Sequence, residues 1–506
     1  MALGPCGAQA KPVTTPEFKT SNSDWQKAYD AALRVVAGNI RTLPHYDKPV
    51  LIEGASYQGI WMECGPHEAL VNRKFRPDIA RNSHEVFFRL QRADGQLPAN
   101  NKLSMTSFGQ IQMVVPMAAT AWELARATKD EALLDMAYQA CSRWDDWLMT
   151  YRNRRGTGLV EGFCTYDTGH DNSPRWAGIP PQCPKADAKL YPSDHNLPRL
   201  CPDLSATTYG ARIALSDMAR ALGKSSEADQ WAQKAHKIQT LILDKLYVAD
   251  ESAFYDLDAT DAFVRVRGDI LSRVCGEHVL SQSLFDELWA RQIHDPKAFW
   301  SPFPLPSIAL DDPAFVRPIP PNSWGGAAQA LTALRAGRWM EHYGRPAEFS
   351  QMMQAWCQAL ITDGRFKQQM DPLTGVFTAE EEGGYTPAAL TLIDYSWRLL
   401  GVREEGESLF WTIRPDHPAA QDAYFSMISD QGHKAEISYG RHKVSLTINN
   451  RPIASMSGGS GRLITTANGK PLAVQGIALS QQVIELHING HEKRQFQLNP
   501  NQKILL

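Results

Sequence analysis

The densest run of chemically capable side chains is Asp167-Thr168-Gly169-His170-Asp171-Asn172-Ser173-Pro174-Arg175-Trp176, which carries two carboxylates, an imidazole, a guanidinium and an indole. A glycine-and-proline segment this charged is no core element, because its backbone lacks a ladder and its charges need partners. Asp171 serves as a general acid if its surroundings raise its pKa, whereas an ion pair with Arg175 would hold it ionised. A second cluster is Tyr57-Gln58-Gly59-Ile60-Trp61-Met62-Glu63-Cys64-Gly65-Pro66, with Glu68 close by. A third, Pro321-Asn322-Ser323-Trp324-Gly325-Gly326, is expected to open a helix whose free N–H groups face an oxygen-rich ligand. In the fourth, Glu380-Glu381-Glu382-Gly383-Gly384-Tyr385, the glycines and tyrosine after the glutamates suit a loop folded over a pocket.

Other chemistries find little support. The chain has no glycine-rich phosphate cradle, G-x-S-x-G elbow or H-E-x-x-H, so nucleotide cofactors and serine or zinc hydrolysis are not expected. Asp187, Asp194 and His195 offer ligands in one long loop but lack calcium-loop spacing, and no metal is assigned. Eight cysteines occur singly, none in a C-x-x-C pattern, and a disulfide among Cys164, Cys183 and Cys201 turns on geometry.

The elements that must position these clusters are mainly helical. From Leu204, the positions Thr208, Ala211, Leu215, Met218 and Leu222 step by four and three along one face, and Gly223 ends the helix. Ser226 is placed to cap the next helix, where Trp231, Ala235, Ile238 and Ile242 repeat the spacing, so the two run antiparallel. The same grammar recurs across Lys129, at His342-Tyr343-Gly344-Arg345-Pro346, and from Pro387 to Gly401, giving ten to twelve helices before residue 405. Loops at 156–201 and 299–323 exceed the ~15 residues typical of structureless connections and are expected to carry function. After Glu405 the period changes to two, in Lys434-Ala435-Glu436-Ile437-Ser438-Tyr439, His442 to Ile448 and Gln482 to Ile488, with a turn at Asn449-Asn450. The expected architecture is mainly α: an (α/α)6 toroid of helical hairpins over 24–405, preceded by an extension at 1–23, with a small antiparallel β accessory domain over 406–506.

In bulk, 52 basic and 55 acidic residues in 506 leave a net charge of −3, which gives no field to attract nucleic acid. No apolar run reaches the ~18 residues of a membrane span, and Met113 to Ala119 is interrupted by Pro116. Fourteen Trp, 15 Tyr and 18 Phe supply rings that stack on sugar faces or fill large cores. Ala8-Gln9-Ala10 has the form of a trimmed export signal, which suggests a periplasmic or secreted protein and leaves a cytoplasmic one open.

The segment Gly169 to Trp176 resembles the G-x-D-x-S-x-R-[WF] motif of six-hairpin glycosidases, specifically the trehalase, glucosidase and mannosylglycerate-hydrolase-like group. Three more segments agree in order: Trp61-Met62-Glu63 with W-D-[ES], Pro321-Asn322-Ser323-Trp324 with P-N-G-W, and Asp371-Pro372-Leu373-Thr374-Gly375 with [ND]-P-x-T-G. The resemblance spans roughly 50 to 400 and implies a glycoside hydrolase, without cofactor, acting on a small carbohydrate, with Asp171 as general acid. The position of the family's general base holds Gln368, which accepts no proton at neutral pH; Gly325 stands for the usual arginine, and Met62 for an aspartate that grips sugar hydroxyls. An inverting mechanism then needs another carboxylate, and Glu382 is favoured over Glu381 and Glu380, with Glu63 next. Trp61, Trp176 and Trp324 are expected to wall the sugar subsite. Tyr57, Glu63, His170, Asn172, Arg175, Asn322, Gln368 and Tyr385 complete its binding groups. A polysaccharide lyase or sugar epimerase using His170 and Tyr166 is the alternative chemistry, and a sugar-binding protein without catalysis is the other.

Overall fold

The computed structural model describes residues 16–506 apart from 194 and 379–381. Ala8-Gln9-Ala10, Cys6, Asp194, Glu380 and Glu381 therefore lie outside the described residues. Twelve α-helices precede residue 401 among the described residues. The first six are α1 Ser23–Gly38, α2 Gly65–Asn72, α3 Pro77–Arg89, α4 Met117–Thr128, α5 Glu131–Tyr151 and α6 Pro202–Ala221. The rest are α7 Ser225–Leu246, α8 Ile270–Gly276, α9 Gln282–Leu288, α10 Ala330–Met340, α11 Pro346–Asp363 and α12 Thr386–Leu400.

The even-numbered helices close a ring: α2 packs on α4, α4 on α6, α6 on α8, α8 on α10, α10 on α12, and α12 back on α2. Inner and outer helices differ as that geometry demands. Every residue of α2 and α12 is buried, whereas outer α7 buries only the stripe Ala228, Trp231, Ala235, Ile238, Ile242 and Leu246. The expected (α/α)6 toroid and the β region after it are both present. The α6–α7 turn passes through Gly223 at φ +75°, where Lys224 N–H reaches back to Ala219 O. Helix α7 begins at Ser225 with Lys224 as its cap residue, so Ser226 sits inside the first turn and caps nothing.

Two antiparallel sheets follow the helices. One orders Glu17–Lys19, Tyr424–Ile428, Lys434–Tyr439, Val444–Ile448, Arg451–Gly458, Gln482–Ile488 and Arg494–Leu498. The other orders Val402–Glu405, Ser408–Ile413, Gly461–Thr466, Pro471–Gln475 and Lys503–Leu505. Trp411 and Leu463 from the second sheet share one core with Ile437, Leu446 and Ile484 from the first. Asn449 and Asn450, both at positive φ, make the tight hairpin that their sequence suggests. The β region docks on the toroid through buried ion pairs: Lys74 with Glu404 at 2.7 Å and Asp430 at 2.5 Å, and Arg462 with Glu341 at 2.8 Å. No described helix is long and apolar enough to cross a membrane.

Candidate active site

The loop around Asp171 is held from below by a buried charge network. Arg175 forks onto Asp203 at 2.8 Å through both terminal nitrogens and onto Asp256 at 2.6 and 2.7 Å, and it donates to His170 Nδ1 at 2.9 Å. His170 Nε2 faces Asp269 Oδ2 at 3.4 Å, and Asp269 accepts from Arg273 Nε at 2.8 Å. Burial, helped by the charges of Arg273 and Arg175, pushes the His170 pKa down to about 3, so the ring is neutral, accepting at Nδ1 and donating at Nε2. Burial works against ionised Asp203, but the Arg175 and Arg273 charges outweigh it and hold the carboxyl well below its ordinary range.

This corrects three sequence expectations. Arg175 does not pair with Asp171, and with its guanidinium bound to two aspartates inside the fold it cannot also bind substrate hydroxyls. Trp176 packs into the core with its Nε1 donating to Thr168 Oγ1 at 2.9 Å, so it does not wall a subsite. The second carboxylate of the segment, Asp167, pairs with fully buried Arg152 and accepts from the backbone N–H of Ile111, Phe163 and Cys164.

Asp171 itself is half-buried, and among the described residues no arginine pairs with it. Its Oδ2 accepts from Asn322 Nδ2 at 3.0 Å, and its backbone carbonyl accepts from Trp324 N–H at 2.9 Å. The Asn322 segment therefore clamps the acid loop. It does not open a helix as expected: α10 starts only at Ala330, after a short strand Ala328–Gln329 paired with Gln369–Met370. Asn322 Oδ1 accepts from Gln368 Nε2 at 3.0 Å, Gln368 Oε1 accepts from Tyr57 Oη at 2.8 Å, and Asn172 Nδ2 donates to Asn322 O at 2.8 Å. Four side chains of the sequence-derived set, Tyr57, Gln368, Asn322 and Asp171, are thus linked in one hydrogen-bonded line. Trp324 is buried against His170, ring centres 5.0 Å apart, so it backs the loop rather than facing open space.

Half-buried Trp61 meets Tyr57 edge to face at 5.8 Å, and buried Tyr385 lies 5.9 Å from Tyr57, which makes an aromatic wall beside the line. Tyr385 Oη donates to Glu53 Oε1 at 2.7 Å. Glu63 packs against the Asp171 loop itself: a Cβ on Gly169 would lie 1.8 Å from Glu63 Oε2, and Gly169 also has φ +61°, so this position needs glycine. Burial pushes Asp171 up to about 6 against the pull of Asn322. Burial and then the charge of Asp171 push Glu63 up to about 7, with Arg335, Arg273 and Gln112 pulling the other way. Glu382 is exposed on the loop leading to Tyr385. Glu53, Glu63 and Cys64 present ligand atoms within 4.8 Å of one another.

Sequence reasoning overlooked Glu53, Asp203, Asp256, Asp269 and Arg273. Asp269 and Arg273 pair locally, four residues apart at the start of α8, whereas Glu53, Asp203 and Asp256 stand in separate segments that only the closed fold brings together. Another local hint was Pro202-Asp203 at a helix start.

A family model for the mannosylglycerate hydrolase MGH1-like glycoside hydrolase domain matches residues 57–397. No curated protein matches the chain in sequence. Among solved structures, a sialidase superposes with TM-score 0.67 at 17% identity over 89% of this chain and 41% of its own, so this chain spans less than half of that protein. The GH63 mannosylglycerate hydrolase from Thermus thermophilus in complex with Tris gives 0.58 at 18% over 73% of this chain and 99% of its own. The neutral trehalase from Saccharomyces cerevisiae gives 0.56 at 14% over 72% and 80%. At such identities the structures establish the fold, while the family match, over well more than half the chain, establishes kinship. The chain belongs to the mannosylglycerate hydrolase MGH1-like glycoside hydrolase family and is a glycosidase on a six-hairpin helical toroid.

Proposed function

We propose that the enzyme cleaves a small oligosaccharide or glycoside with inversion, using Asp171 as general acid and Glu63 as general base. The observation that carries this reading is the pairing of a raised Asp171 with a second raised carboxyl, Glu63, whose pKa responds to the Asp171 charge. Glu63 touches Gly169, and two residues of chain from there to Asp171 span at most ~7 Å. An inverting enzyme holds its two carboxyls roughly 6.5–9.5 Å apart so that a water fits between them, and the contact of Glu63 with the loop that carries Asp171 supports its choice as the base.

In this mechanism Asn322 occupies Asp171 Oδ2, so the proton resides on Oδ1 and passes to the glycosidic oxygen as the bond breaks. Glu63 accepts a proton from the water that attacks the anomeric carbon from the opposite face. Gln368 holds Asn322 and is itself held by Tyr57, so the position of the family's base supports the acid here. Trp61, Tyr57 and Tyr385 offer ring faces and hydroxyls to the sugar. A lyase or epimerase route through His170 is disfavoured, because both ring nitrogens are engaged and the ring stays neutral.

The test begins with a panel of p-nitrophenyl glycosides and disaccharides, with NMR of the first-formed anomer. On the substrate found, Glu63→Gln loses turnover and azide restores it through a glycosyl azide of inverted configuration, while Glu382→Gln turns over as the parent does. The opposite pattern moves the base to the 380–382 loop, and a first product of retained configuration removes inversion.

A further inference from the structure

Two thiols face each other beneath the loop that carries Asp171. Cys183 Sγ lies 3.6 Å from Cys164 Sγ, and both side chains are buried. With Phe163 they form a small apolar cluster, and partly buried Tyr191 packs both on it and on one of the two large cores of the molecule. The chain on either side is already joined: Thr165 N–H donates to Pro180 O and Tyr166 N–H to Pro181 O, each at 3.1 Å, and Cys183 N–H to Gly109 O at 3.0 Å. Residues 164–183 are therefore a loop with adjoining ends, and Gly169 to Trp176 lie within it. So small a cluster contributes little to holding a segment of this length in one geometry.

The same sulfurs and the Asp167 carboxylate lie within 4.8 Å of one another, which raises a metal as the rival occupant. Asp167 is poorly suited to be its ligand. Its two oxygens already take the Arg152 guanidinium and three backbone N–H groups, and Arg152 Nη2 also lies 3.6 Å from Cys183 Sγ, setting a positive charge where a cation would sit. No other pair of described cysteines is in sulfur contact.

We infer that Cys164 and Cys183 join in a disulfide that closes the base of the catalytic loop. The reaction is thiol–disulfide exchange with a small-molecule disulfide such as oxidised glutathione. One protein thiol gives up its proton and attacks, releasing one small thiol and leaving a mixed disulfide. The other protein thiolate then displaces the second small thiol. Two protein thiols are oxidised to one S–S bond, and one small disulfide is reduced to two thiols. Because both sulfurs are buried in the finished fold, the bond forms while the loop is closing. Its effect is to remove conformational freedom from the loop when the surrounding structure loosens.

The full-length protein is folded in a reduced and oxidised glutathione mixture, alkylated with iodoacetamide in denaturant, and read by intact mass and peptide mapping. Two cysteines escape alkylation, and a peptide linking 164 to 183 is recovered. Dithiothreitol then raises the rate of cleavage by a broad-specificity protease within 164–183 several-fold, and a Cys183→Ser variant is cleaved at the fast rate with or without it. Alkylation of all eight cysteines, a bridge between other residues, or a metal adduct in the native mass spectrum overturns the inference. The mass readout needs no substrate, so it stands apart from any failure of the glycosidase mechanism.

Discussion

At Asp171 two opposing effects set the acid's strength: burial raises its pKa and the Asn322 amide lowers it, with about 6 as the result. Glu63 stands at about 7, raised first by burial and then by the charge on Asp171, so the two carboxyls titrate as a pair whose single proton rests mostly on Glu63, and the productive form, with the proton on Asp171, is the minor one. Below about pH 6 both are protonated and no base remains; above about pH 7 both are ionised and no acid remains. A profile of kcat/KM against pH is therefore a narrow bell centred near 6.5, whereas a broad plateau from 5 to 8 would remove Glu63 from the pair. Replacing Asn322 with Leu removes the hydrogen bond that favours the charged form of Asp171 and raises the lower of the two values, so the acid limb moves up in pH. Gln368→Leu shifts it the same way by less, since it acts through Asn322. Asp171→Asn leaves nothing to protonate the leaving group, and turnover on an unactivated substrate falls by ~10²–10⁴-fold or more. Asp171 stands out in the sequence because its neighbours form a motif, and the acid's role proposed for it is what these profiles test. The line from Tyr57 through Gln368 to Asn322 was not legible there, because its members lie in three distant segments and hydrogen bonding between them leaves no local pattern.

The elements place these groups by different physics, and that difference decides what sequence could reveal. Helical pairs such as α6 and α7 were readable because apolar spacing and the glycine between them are local signals. Pro321 to Gly326 misled because proline, serine and glycine also begin helices. In the fold the segment is drawn instead to Asp171 and to Gln369, whose Oε1 accepts from Ser323 N–H at 2.8 Å. Arg175 was misread for a related reason: a charged residue next to a catalytic one looks like a binding group unless its buried partners on α6 and in the Asp256–Leu257 strand are known. Its replacement tests that role. Arg175→Met leaves Asp203 and Asp256 buried without their shared cation, a loss of ~3–5 kcal/mol. A lowered urea midpoint checks this; an unchanged midpoint with raised KM would return Arg175 to the substrate.

On the scale of the whole molecule, closing the helical ring buries carboxyls from several helices in its interior, and their protonation ties stability to pH. Glu68 on α2 is fully buried, and burial pushes it up to about 8 against the pull of the neighbouring Cys64 thiol. Burial likewise raises Glu277, beside α8, and Glu63 to about 7. A carboxyl whose folded pKa exceeds its unfolded value stabilises fully below the unfolded pKa, and that contribution is lost as pH rises toward the folded one. The ion pairs docking the β region act in the opposite sense. Burial alone would raise Glu341 and Asp430, but the Arg462 charge, and those of Arg73 and Lys74, hold them below their ordinary values, so their contribution is lost as pH falls below about 4. Buried His67, His84, His170 and His417, all pushed down by burial, add to that acid-side loss, because below about pH 6.5 the unfolded chain takes up protons that the folded one refuses. Stability therefore peaks near pH 6.5, and above it each carboxyl still raised removes up to ~1.4 kcal/mol per pH unit until its folded value is reached. Thermal melts from pH 3 to 8 check both slopes. Glu68→Gln, which is neutral at every pH, should flatten the descent above pH 6.5. A melting temperature that climbs from pH 6.5 to 8 would mean that these interior acids are solvated and charged, and that the ring is wetter than its packing indicates.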